Sequence, residues 1–77
     1  MRLLIIEDEE DLANALAVGL RQEGYAVDVT TNGQDGWELA DVNTYDVLLL
    51  DLNLPDIDGL TICQRLRSSH PHLLILI

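Results

Sequence analysis

Two apolar runs that each end in carboxylates constrain this chain more than any other feature. Leu3-Leu-Ile-Ile6 is continuously apolar and is followed at once by Glu7-Asp8-Glu9-Glu10-Asp11. A second run, Tyr45 to Leu50, apolar apart from Asp46, is followed by Asp51. A strand without polar alternation is one buried on both faces, as in parallel sheets whose crossover connections lay helices on each side. The segments between the runs agree with that reading. Leu12, Leu16 and Leu20 recur at four-residue spacing with Ala13 and Ala17 beside them, the period of a helix, and Gly24 is placed to end it.

The rest of the chain continues the alternation. Ala26 to Thr30 is short and more polar, which suits an edge strand, and Asn32-Gly33 begins a turn. Gly36 to Val42, with Trp37, Leu39, Ala40 and Val42, predicts a short helix. A third helix runs from Asp58 or Gly59 to about Ser68, with Leu60, Cys63, Leu66 and the stem of Arg67 inward. Pro71 closes the connection to a fourth strand, Leu73 to Ile77. The order is β-α-β-α-β-α-β, an α/β fold with a parallel sheet. Ligands of such sheets sit at the carboxyl ends of the strands, near the point where strand order reverses. That rule selects Glu7 and Asp8 after the first strand and Asp51 after the third.

With the first and third strands adjacent, in the order 2-1-3-4, these three carboxylates meet in one pocket. Like charges held close raise one another's pKa and cost stability unless a cation or proton intervenes. An oxygen-only cluster with room for water suits Mg²⁺, which takes one or two carboxylates, several waters and a phosphate oxygen. The arrangement therefore predicts a phosphoryl-transfer site in which Asp51 is the nucleophile. Asp8 is then the better direct metal ligand, and the longer Glu7 acts through a metal-bound water.

The segments Leu3 to Asp11 (LLIIEDEED) and Val47 to Gly59 (VLLLDLNLPDIDG) resemble the two signature segments of response-regulator receiver domains, the phospho-accepting partners of two-component signalling. The resemblance implies a flavodoxin-like fold, phosphorylation of Asp51 by a histidine kinase, and Mg²⁺ held by Asp8, Asp51, the backbone carbonyl of Asn53 and, through water, Glu7. It implies that Pro55 and Gly59 shape the loop after the third strand. The Glu-Asp start and the Asp-x-x-x-Pro-x-x-Asp-Gly loop are similar to the transcription-factor group with a C-terminal winged helix. Complete receivers of this family add a fifth strand and two more helices, a hydroxyl residue just after the fourth strand and a lysine after the fifth. Residues 1–77 are thus expected to be an incomplete receiver domain without that switch hydroxyl and lysine. The chain has no lysine anywhere. An exposed final strand is a template for another chain, so a dimer is expected.

Composition narrows the partners. Fourteen acidic residues stand against four arginines, for a net charge of -10. Nucleic-acid affinity comes mainly from Lys and Arg displacing counterions, so this segment should not bind nucleic acid itself, and DNA contact would come through an absent output domain. No segment approaches the ~20 apolar residues of a spanning helix, and the single cysteine fits a reducing compartment. A cytoplasmic location, away from the membrane, is expected.

Residue type separates the competing readings of these segments. Glu9, Glu10 and Asp11 are accounted for by the helix dipole, which favours acidic residues in a first turn by roughly 0.3 to 1 kcal/mol each. A calcium loop starting at Asp51 fails at Pro55, at Asp56 where it needs glycine, and at Ile62 where it needs glutamate. His70 and His72 are expected to be solvated loop residues, and Cys63 and Trp37 to serve packing. A metal-dependent phosphatase would need an acid-base group near Asp51, where Asn53 stands. An interaction or dimerisation module that is never phosphorylated is the remaining alternative, and the segment itself is expected not to be an enzyme, the enzyme being the partner kinase.

Overall fold

The apolar runs become the two central strands. The computed structural model describes all of Met1–Ile77: β1 (Arg2–Ile6), α1 (Glu10–Gln22), β2 (Ala26–Thr30), α2 (Gly33–Val42), β3 (Val47–Leu50), α3 (Gly59–Ser69) and β4 (Leu74–Leu76). The four strands are parallel and ordered β2-β1-β3-β4, the expected arrangement. Ile6 lies in register with Thr30 on one side and Leu50 on the other, so β1 and β3 end at one level.

Because side chains alternate along each strand, the sheet feeds two cores. On one face Leu4, Ile6, Leu48, Leu50 and Ile75 pack with Ile62 and Leu66 of α3 and Ala40 of α2. On the other, Leu3, Ile5, Val27 and Val47 meet Ala13 and Ala17 of α1. The small alanines let α1 lie close to β1, and Leu20 is half-buried beside them. Leu12 and Leu16, the rest of the leucine stripe, remain 44% and 41% exposed, because α1 is the only helix on this face and covers only part of it. Leu74 and Leu76 on the outer strand are exposed for the same reason.

Several boundaries differ from the expectation. Asn32-Gly33 is the start of α2, not a turn before it: Asn32 Oδ1 accepts the Asp35 N–H at 2.9 Å, a helix N-cap. The glycines at the start of α2 are there for space, since a Cβ on Gly36 would press into the Ile6 side chain. In α3 the buried stripe is Gly59, Ile62 and Leu66. Leu60 and Arg67 point outward and Cys63 is half-buried, because the close seat of Gly59 sets the helix phase and the inward positions follow at three and seven residues on. Tyr45 precedes β3 and is buried.

The connections are fixed by local chemistry. After α1, Gly24 takes a φ of 92°, while its N–H donates to Arg21 O and that of Tyr25 to Leu20 O, a pairing that satisfies the last carbonyls of the helix. His70 is not a solvated loop residue. Its N–H caps α3 by donating to Leu66 O at 2.7 Å, and its half-buried ring places Nε2 3.6 Å from Asp41 Oδ1 at the end of α2. His72 is exposed, as expected. Trp37 packs against the larger core, with the Arg65 guanidinium 5.7 Å from its ring centre.

Candidate functional site at the carboxyl edge of the sheet

The sheet ladder runs one residue beyond the strands on the side where the carboxylates emerge. The Glu7 N–H donates to Thr30 O at 3.1 Å and the Asp51 N–H to Ile6 O at 3.0 Å. These bonds hold Glu7 and Asp51 side by side, each half-buried, with exposed Asp8 next in the chain. Glu7, Asp8 and Asp51 each bring a carboxylate oxygen to within 4.8 Å of the others. Burial raises the pKa of Glu7 above its ordinary value, and the charges of Asp51 and Asp8 add to the rise; the Glu9 N–H, 3.3 Å from Oε1, opposes it. The site stores electrostatic repulsion that a cation would relieve.

The donor set fits Mg²⁺. All three side chains offer hard oxygen, one is exposed, and the cluster opens at the sheet edge, so waters can complete an octahedron. Asp8 and Asp51 could take the ion directly with Glu7 behind a water. Asn53 lies against the cluster through its backbone, its N–H donating to Asp51 Oδ1 at 3.0 Å, while its side chain faces solvent.

The loop from Asp51 to α3 is closed tightly. Gly59 donates its N–H to Leu52 O at 3.2 Å, and a Cβ there would stand 2.6 Å from Leu52 Cα and 2.7 Å from Asp51 O. Only glycine permits that approach. Asp58 caps α3 through Oδ1 on the Leu60 N–H, at 3.2 Å. Pro55 is exposed in mid-loop.

One residue of this loop was passed over in the sequence. Asp56, considered there only as a mismatch to a calcium loop, accepts the Gly33 N–H on Oδ1 at 2.7 Å and the Gln34 N–H on Oδ2 at 2.8 Å. Those two bonds hold its carboxyl below the usual range. The available signal was an acidic residue in a loop, with a glycine-led helix start 23 residues earlier; nothing in the sequence says that the two meet.

Beside Glu7 and Asp51, a groove of about 460 Å³ runs along the uncovered face, lined by Leu16, Leu49, Leu76 and Ile77 among others. No helix is long and apolar enough to cross a membrane.

Comparison with known proteins assigns the fold to a family. The model of the response regulator receiver domain matches residues 3–77. The chain belongs to the receiver-domain family. Response regulator ArlR of Staphylococcus saprophyticus is 45% identical over 76 residues, covering 99% of this receiver and 34% of ArlR. The transcriptional regulatory protein CusR of Escherichia coli K12 is 42% identical over 77 residues, covering the whole receiver and 34% of CusR. The crystal structure of response regulator TrrA from Thermotoga maritima, in complex with Mg²⁺-BeF, superposes with a TM-score of 0.91 at 30% identity, over 96% of this receiver and 64% of that chain. The receiver therefore spans about a third of the length of these curated relatives, and its fold is that of CheY-like receivers.

Proposed function

We propose that this receiver accepts a phosphoryl group on Asp51 from a phosphohistidine of a partner kinase, and that the resulting change of state controls an output of the whole protein. The observation that carries the reading is the meeting of Glu7, Asp8 and Asp51 within 4.8 Å at the carboxyl edge of the two central strands. In the transfer, a carboxylate oxygen of Asp51 attacks phosphorus, the P–N bond breaks, and the electron pair returns to the departing imidazole, leaving an acyl phosphate. Asp51 is oriented for attack by its N–H bond to Ile6 O and by the Asn53 N–H on Oδ1. Asp8, Asp51 and the Asn53 carbonyl, with Glu7 behind a water, would hold Mg²⁺, which when bound would supply positive charge against the transferring oxygens.

On this reading the receiver is a phosphoryl acceptor, the enzyme being the kinase. Transcription is the proposed output, supported by the relative CusR, a transcriptional regulatory protein. The net charge of -10 argues that any DNA contact is made outside this segment. A cytoplasmic setting is proposed with it, as is, for residues 1–77 taken alone, pairing of two copies through the outer edge of β4.

The test uses the protein at its natural length. Acetyl phosphate with Mg²⁺ should add the mass of one phosphoryl group, which Asp51→Asn and EDTA should each abolish. Asp8→Asn should weaken Mg²⁺ binding and leave metal-free stability unchanged or higher, since it removes one of three repelling charges. Label persisting in Asp51→Asn would sink the assignment, and an unchanged wild-type mass would favour the interaction-only module.

A further inference from the structure

The N-terminus of α2 is completed by a residue from another part of the chain. A helix begins with N–H groups that have no partner within it. In α2, Asn32 Oδ1 takes the Asp35 N–H, and the Gly36 N–H reaches Asn32 O. The Gly33 and Gln34 N–H groups are left, and both are taken by the carboxylate of Asp56. Asn32 thus caps the helix locally, whereas Asp56 ties it to the loop that follows Asp51.

That loop has few other restraints in its middle. Its ends are held by Gly59 on Leu52 and by the Asn53 N–H on Asp51. Between them Pro55 and Asp56 are exposed, and Leu54 and Ile57 are only partly buried against the core. The paired bonds from Asp56 are charge-assisted and use both carboxylate oxygens, which fixes the direction of the loop as well as its distance from α2.

We propose that Asp56 is a positioning residue for the Asp51 site: by latching the loop onto α2 it sets where the Asn53 backbone stands relative to Asp51, and so tunes metal binding there without touching the metal. This role rests on the proposed function above and adds a residue to it. Groups that orient metal ligands from behind typically contribute 10- to 100-fold to affinity, and the lower end of that range suits a solvent-facing latch.

The experiment compares Asp56→Ala with Asn32→Ala in the natural-length protein. Both remove a cap from α2 and should lower its melting temperature by similar amounts, but only the first frees the loop. Titration calorimetry with MgCl₂ should show Kd raised on the order of tenfold in Asp56→Ala and changed less than about twofold in Asn32→Ala, with Asp56→Asn, which keeps one acceptor, in between. Without metal, amide exchange over 52–57 should quicken in Asp56→Ala and stay at the wild-type rate in Asn32→Ala. Equal Mg²⁺ affinities in the two alanine variants, or unchanged loop exchange in Asp56→Ala, would overturn the latch while leaving the phosphoryl-acceptor reading intact. A wild-type protein that binds no Mg²⁺ would defeat both.

Discussion

The Tyr45 hydroxyl donates to Asp28 Oδ2 at 2.6 Å, and the same oxygen accepts from Arg2 at 3.0 Å, tying β2 to the segment entering β3 across the end of β1. Arg2 also stacks 4.9 Å from the Tyr45 ring centre, and its N–H donates to Asp46 at 2.8 Å. This polar knot lies at the amino end of the sheet, away from Asp51, so it can be tested without disturbing the site.

Its pH dependence follows from the two partners. Burial, then the bond to Asp28, pushes the Tyr45 phenol up from 10 to about 12. Folding therefore favours the protonated phenol, and the stability it contributes is fully present below pH 10 and lost as pH rises from 10 towards 12. Asp28 is shifted the other way, lowered first by the Tyr45 hydroxyl, with Arg2 adding to it. Its contribution is present above the ordinary carboxylate range and is lost on acidification through its folded pKa. Denaturant titrations of wild type and Tyr45→Phe between pH 8 and about 11.5 should converge as pH rises; a constant gap would show that the hydroxyl contributes no linked proton.

Glycine substitutions separate close approach from flexibility. Gly59→Ala forces a Cβ against backbone at 2.6 and 2.7 Å, which should cost about 1–3 kcal/mol and lower the melting temperature by about 4–8 °C per kcal/mol in a domain of this size. Gly19→Ala, in the interior of α1 with nothing within 4 Å of the new Cβ, should raise stability by about 0.5–1 kcal/mol. Calorimetric melting of the two variants checks the contrast, and equal effects would refute the steric account of Gly59.

The uncovered strip predicts self-association of the 77-residue chain. The outer edge of β4 is unpaired, and Leu16, Leu74 and Leu76 lie exposed beside it. A second copy offers the matching strand edge and the same apolar strip, and covering ~400 Å² is worth about 10 kcal/mol at 25 cal/mol/Å² before association costs. A charge of -10 on each copy opposes the contact, so salt should strengthen it by screening. Sedimentation at micromolar concentration should find dimers, more of them at high salt. A monomer at every salt concentration, with dispersed amide signals, would refute the prediction.

What the sequence determined by itself was local or periodic. The unbroken runs at Leu3–Ile6 and Val47–Leu50 identify central strands because a strand buried on both faces admits few polar residues, and with Glu7, Asp8 and Asp51 at their carboxyl ends the candidate site follows from topology alone. Gly24 was legible because a positive φ at a helix end selects glycine. Helix phase and long-range polar partners were left to the tertiary structure. Leu60 and Ile62 are equally apolar in sequence, and only the seating of Gly59 on Leu52 decides that Ile62 turns inward. Asn32-Gly33 reads as a turn until the neighbouring loop brings Asp56 to its free N–H groups. Leucines 12 and 16 have the spacing of a core stripe, yet burial depends on what stands opposite, and on that face α1 packs through its alanines. Periodicity reports which residues share a side of an element; contacts between residues distant in sequence decide which side is inside.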